Sequence, residues 1–264
     1  MRRFLSRSPL LSSEPAAMLD HETITQRYFF PRPGQPTEYR DVVAADGVGL
    51  RCYEHRPHPG ARTLIHYHGN GEIVCDYIPD YVEAVAALGV NLLLVEYRGY
   101  GGSGGRPQLG KMLEDVTVVR LACGLRPEDC FVYGRSVGAI FAVEWAAQAG
   151  SLAGLILESG VADPRQRLLM RLDPAELGVS QESFDAAMRA HLHHEQKLSR
   201  YHGPLLVLHA AGDSLVGVEH AHLHMRWCRS LDKQLVVFEE GDHNDVMACN
   251  WNAYLGHLGK FFGL

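Results

Sequence analysis

Long apolar runs are missing from this chain: nowhere do the ~18 consecutive apolar residues of a membrane span occur, so no transmembrane segment is expected. An excess of basic charge is missing too. With 25 Lys and Arg against 31 Asp and Glu, the formal charge of −6 gives no general attraction for nucleic acid or an anionic membrane. The six cysteines, at 52, 75, 123, 130, 228 and 249, form neither a Cys-x-x-Cys pair nor a dense framework. They read as reduced thiols of a cytoplasmic protein, with no structural zinc among them. Arg2 and Arg3 resemble the start of a signal peptide, but Ser6, Arg7, Ser8 and Pro9 interrupt any apolar core, so secretion is not expected.

Phosphate-binding signatures are also absent. Glu96 to Pro107 is rich in glycine, yet it lacks the Lys-Ser/Thr ending of a P-loop, and its Gly-x-Gly-x-x-Gly spacing, Gly99 to Gly104, runs into Gly105-Arg106-Pro107 and does not open a helix as a dinucleotide-binding turn does. It reads as a glycine-rich loop beside a site. His220, His222 and His224 invite a metal-binding reading because 220 and 224 share a helix face, but no third ligand of suitable spacing accompanies them. They are taken as a solvated face, and neither a metal nor a cofactor is expected.

What the chain does contain is an alternation of apolar strands and helices that fits one large domain in 264 residues. Residues 1–36 mix Ser, Pro and Arg around one aromatic patch, Tyr28-Phe29-Phe30, and read as a loosely packed arm before the domain at 37–264. Asp46-Gly47 joins two strand-like segments into a hairpin. Strands then follow at Thr63 to Tyr67, Val90 to Val95, Cys130 to Tyr133, Ala153 to Leu157, Leu205 to Leu208 and Gln234 to Phe238. Between them the pattern predicts helices over Ile73 to Leu88, Lys111 to Cys123, Ile140 to Ala149, Gly217 to Ser230 and, last, Cys249 to Phe262. The fold class is therefore α/β, a doubly wound, mostly parallel sheet, in which ligands bind at the carboxyl ends of strands. Charged, helix-compatible sequence at about 162–200 interrupts the alternation and reads as a small helical cap.

The stretch Phe131-Val132-Tyr133-Gly134-Arg135-Ser136-Val137-Gly138-Ala139 carries the chemistry. It reads as a short strand, a tight turn bracketed by glycines and the start of a helix, which lifts the Ser136 hydroxyl above a sheet. A serine nucleophile needs a base, an orienting acid and donors for an oxyanion. Other strand ends supply candidates: Asp213 follows Leu205 to Leu208, and His243 follows Val236 to Phe238. Glu158 also ends a strand and is the rival acid, whereas Asp242 adjoins the histidine too closely to reach its far ring nitrogen. The backbone N–H groups of Val137, at the helix start, and of Asn70, after the third strand, are the candidate oxyanion donors. Plainer roles stay open for each: Ser136 as a helix cap, Asp213 and Asn70 as turn residues, His243 packed beside the last helix.

Five pieces in order resemble the α/β-hydrolase superfamily, in particular its BEM46-like and serine-aminopeptidase-like members. They are His68-Gly69-Asn70-Gly71; Tyr97-Arg98-Gly99-Tyr100-Gly101 with Ser103 and Gly105; Gly134-Arg135-Ser136-Val137-Gly138; Gly212-Asp213 with Val216; and Gly241 with His243-Asn244-Asp245. Ala210 departs from a common glycine of the family. The resemblance implies hydrolysis of an ester, thioester or amide of a small-molecule or acylated substrate, without a metal, through Ser136 as nucleophile, His243 as base and Asp213 as acid. Two rival functions are an aminopeptidase, which needs carboxylates for the substrate amine (Glu72, Glu158 and Asp163 are the candidates), and a non-catalytic binding module on the same fold.

Overall fold

A computed structural model describes residues 17–264. The first sixteen residues of the expected arm lie outside the described residues. The rest of the arm contradicts loose packing, because Met18, Leu19, Ile24 and Phe29 are buried in the main core. Its helix α1 (Glu22–Tyr28) places Ile24 against the body, and Met18, Leu19 and Phe29 flank that helix.

The sheet has eight strands: β1 (Arg40–Val43), β2 (Gly49–His55), β3 (Thr63–Tyr67), β4 (Asn91–Val95), β5 (Cys130–Arg135), β6 (Gly154–Glu158), β7 (Leu205–Ala210) and β8 (Lys233–Phe238). Their order is β1-β2-β4-β3-β5-β6-β7-β8. Strand β2 is antiparallel to β1 and β4, and β4, β3, β5, β6, β7 and β8 pair in parallel. Strands β3 to β7 are buried along their whole length, which is why apolar residues dominate them.

Side chains alternate between two cores, one on each face of the sheet. Leu93, Val132, Leu155 and Val207 face the core built with α3 (Leu109–Cys123) and α4 (Gly138–Ala149). Leu92, Leu94, Phe131 and Leu206 face the other, built with α2 (Asp80–Ala86) and, near the chain end, α10 (Trp251–Phe262). The single helix expected over Ile73 to Leu88 is instead a 3₁₀ turn, Val74–Tyr77, followed by α2. Pro79 divides them, since proline lacks an N–H and disfavours helical backbone in the residue before it.

Between β6 and β7 lie α5 (Pro164–Leu169), a 3₁₀ turn at Pro174–Leu177, α6 (Gln181–His191) and α7 (His194–Ser199). Asp163 and Ser180 cap the first and third of these, accepting from Gln166 N at 3.0 Å and Ser183 N at 3.1 Å. Helix α7 packs into the body against α4 and α8 (Glu219–Trp227). A short helix α9 (Val246–Cys249) precedes α10.

The solvated face expected for the three histidines is corrected on α8: His222 is exposed, but His220 and His224 are buried. The i, i+4 pair lies on the inward face of that helix, where burial holds both imidazoles below their ordinary pKa, His224 at about 3. Among the described residues, no three His, Cys, Asp or Glu side chains gather as a metal-holding group.

Candidate active site

The strand register brings the candidate residues to one edge. Tyr67 pairs with Gly134, Arg135 with Glu158, and Ala210 with Phe238, so the loops leaving β3, β5, β7 and β8 emerge side by side. Ser136 sits in the turn between β5 and α4 with φ of 53°, a left-handed conformation that non-glycine residues rarely adopt. The turn is held by Ser136 N donating to Glu158 O at 2.9 Å and Val161 N donating to Ser136 O at 3.1 Å. Both flanking glycines are required by close backbone approach. A Cβ on Gly134 would stand 2.6 Å from Gly138 O, and one on Gly138 would stand 2.7 Å from His68 O and nearer still to Tyr67 O.

Ser136 Oγ lies 2.8 Å from His243 Nε2, and His243 Nδ1 lies 2.8 Å from Asp213 Oδ2. The other carboxylate oxygen of Asp213 accepts from Leu215 N at 3.0 Å and Val216 N at 2.8 Å. Burial works to raise the Asp213 carboxyl, but the hydrogen bonds from His243 and the Val216 amide outweigh it and hold the group below the usual carboxylate range. Its negative charge is thereby available to the ring.

Glu158 lies elsewhere. It accepts from Tyr133 and Tyr254 and pairs with Arg135 Nε at 3.2 Å, inside the core rather than against His243. Asp242 is exposed, and its carboxylate accepts from Asn244 N at 2.7 Å.

Asn70 and Val137 line the same cavity as Ser136 and His243. Among the described residues neither of their backbone N–H groups has a hydrogen-bond acceptor. The Asn70 side chain is anchored by the arm and the glycine-rich loop: Oδ1 accepts from Phe30 N at 3.0 Å and the Tyr100 hydroxyl at 2.8 Å, and Nδ2 donates to Tyr28 O at 2.6 Å. Arm and loop therefore fix the segment that presents the Asn70 amide. The loop's glycines serve this packing, as Gly101 N donates to Arg32 O at 2.9 Å.

The cavity measures about 250 Å³, with Phe29, Leu109, Ile140, Val161 and Leu168 among its apolar walls. Three features of it escaped the sequence reading. Tyr28, Phe29 and Phe30 line it although they belong to the arm, Arg135 braces it, and Arg167 and Arg171 reach it from the cap. The aromatic patch was visible as a run of three rings, but nothing local in the sequence tied it to Ser136.

A family model described as serine aminopeptidase, S33 matches residues 58–182. The human alpha/beta hydrolase domain-containing protein 17B is 28% identical over 220 residues, spanning 81% of this chain and 71% of that protein. Among solved structures, the Pyrococcus furiosus esterase Pf2001 superposes with a TM-score of 0.67 at 18% identity, over 88% of this chain and 97% of that one. An esterase from Exiguobacterium antarcticum gives 0.65 at 18% identity, over 86% and 100%. The chain has the α/β-hydrolase fold, and its sequence is similar to members of that superfamily.

Proposed function

We propose that the protein is a serine hydrolase that cleaves a carboxylic ester, thioester or amide of a small or acylated substrate, with esters preferred. Ser136 attacks the carbonyl as neutral His243 takes its proton, and the same imidazole returns that proton to the leaving group. Asp213 holds the ring with Nε2 toward Ser136 and stabilises the imidazolium. The N–H groups of Val137 and Asn70 receive the developing oxyanion, and water then resolves the acyl-enzyme through the same base. The observation that carries this reading is the unbroken chain from Ser136 Oγ through His243 to Asp213, at 2.8 Å on each side of the ring. The six cysteines, all unpaired, support a reducing, cytoplasmic setting. No described helix is long and apolar enough to cross a membrane.

The aminopeptidase alternative draws nothing from the carboxylates named for it. Glu72 accepts from Gly69 N at 2.6 Å and pairs with Arg135, Glu158 is held by two tyrosines, and Asp163 caps α5. None of the three lines the cavity.

A fluorophosphonate probe is expected to label the wild-type protein at Ser136 and to leave Ser136→Ala unlabelled. A folded wild-type protein that resists labelling would favour the binding module. Aminoacyl amides cleaved faster than p-nitrophenyl esters would favour the peptidase.

A further inference from the structure

The wall of the cavity facing Ser136 from the cap carries two arginines four residues apart, Arg167 on α5 and Arg171 just beyond it. No aspartate or glutamate lines the cavity among the described residues. The remaining arginine of the lining, Arg135, is neutralised by Glu72 and Glu158. Of the cap's acids, Asp185 pairs with Arg165, Glu176 with Arg27, Asp163 caps α5 and Asp173 caps the 3₁₀ turn, and none pairs with Arg167 or Arg171. Among the described residues, then, neither Arg167 nor Arg171 has a carboxylate partner.

Arg167 is half-buried and spends one donor, Nη1 to Leu215 O at 2.8 Å. A guanidinium carries five N–H donors in a fixed fork, so the rest remain for a ligand. Burial, together with the like charge of Arg171, holds Arg167 below the usual guanidinium range. Arg171 is exposed, but its like charge bears on the half-buried Arg167, and an anion between them relieves the repulsion and the hydration that Arg167 has lost.

Resting on the hydrolase reading above, we propose that Arg167 and Arg171 form an anion subsite, so that the substrate is an ester whose acyl or leaving group carries a carboxylate or phosphate. The apolar walls take the chain between that anion and the scissile carbonyl. The arginines act on binding and selectivity, through charge-assisted hydrogen bonds to the anion, and take no part in the proton transfers at Ser136.

The test compares kcat/KM for matched pairs. For the acyl side, the mono-p-nitrophenyl esters of glutaric and adipic acid are set against their methyl-capped diesters. For the leaving-group side, the butyryl ester of 4-hydroxybenzoate is set against that of its methyl ester. The anionic member is expected to win in one of the two arms, and Arg167→Gln and Arg171→Gln to lower that anionic-to-neutral ratio by roughly tenfold or more. A ratio within one preparation is insensitive to a misfolded fraction, because inactive protein lowers both rates alike. Ratios unchanged in both arms, in protein that fluorophosphonate labels at Ser136, overturn the subsite and leave the hydrolase standing. Should labelling and hydrolysis both fail, calorimetry with glutarate and inorganic phosphate decides the subsite separately. Binding lost in the two arginine variants supports it, and no binding to the wild type overturns it.

Discussion

Arg135 donates from Nη2 to the backbone carbonyl of His243 at 2.7 Å, so the residue immediately before the serine holds the loop that carries the candidate base. The same guanidinium pairs with Glu72 and, through Nε at 3.2 Å, with Glu158. Glu72 in turn accepts from Gly69 N at 2.6 Å, next to Asn70. One buried cation thus ties together the serine turn, the histidine loop and the loop of the candidate oxyanion amide. Burial opposes its charge, but the two carboxylates outweigh that and keep it firmly protonated.

Arg135→Met is therefore expected to lower kcat about 100-fold by loosening the histidine loop, a misplacement effect, and to lower Tm by leaving buried Glu158 and partly buried Glu72 without their cation. Arg135→Lys keeps the charge but cannot span three partners with one planar fork, and should recover part of the stability and little of kcat. Steady-state kinetics with a neutral p-nitrophenyl ester, beside a thermal melt, checks both. A folded Arg135→Met with kcat within twofold of wild type would remove Arg135 from any positioning role.

Asp213→Asn should reduce kcat by roughly 10⁴ with little change in Tm, because the amide favours the wrong imidazole tautomer while preserving shape. Glu158→Gln should behave in the opposite way, lowering Tm through its tyrosine and arginine partners while costing kcat less than about tenfold. If the glutamate variant loses more kcat than the aspartate variant, the acid has been assigned to the wrong residue.

In the cap region the three side chains Leu168, Met170 and Phe184 are placed very differently. Leu168 lines the cavity, Phe184 is fully buried in the main core, and Met170 is 68% exposed. Leu168→Ala is expected to shift the preferred acyl chain length, Phe184→Ala to cost about 3–5 kcal/mol of stability, and Met170→Ala to change neither by much. An ester chain-length series and urea unfolding separate the effects. A chain-length shift from Phe184→Ala in stable protein would place that ring in the pocket instead of the core.

Acid should destabilise the fold through its buried histidines. Burial, helped by nearby positive charge, holds His66 and His194 well below the ordinary imidazole range, and His224 at about 3. Below pH ~6.5 the unfolded chain takes up protons at these rings while the folded chain does not, so stability falls with decreasing pH. Above that value both states are neutral there and the contribution is complete. Each such ring adds a slope of about 1.4 kcal/mol per pH unit between its folded and unfolded pKa. Replacing His224 by Gln should flatten the decline between pH 6.5 and 5 by about one proton's worth. A variant that melts with the wild-type pH slope would show that His224 is protonated in the fold.

Local sequence was enough for what depends on neighbours along the chain. Strand β7 is legible at Leu205–Leu208 because strands buried on both faces are apolar along their run, and the turn at Ser136 is legible because glycines must stand where backbones nearly touch. The order of Ser136, Asp213 and His243 could be read because each follows an apolar run, and parallel strands deliver such residues to one edge. Packing between distant segments decided the rest. Asp213 rather than Glu158 faces His243 because of where β7 and β8 lie, and Glu158 is turned toward Tyr133 and Tyr254. Arg135 bonds to a carbonyl 108 residues away. His220 and His224 are buried because other elements cover the face of α8 that carries them, while His222 on the same helix remains in water. Charge and burial are properties of what surrounds a side chain in space, and for Arg135, Arg167 and Arg171 those surroundings exist only once the sheet, the arm and the cap have come together.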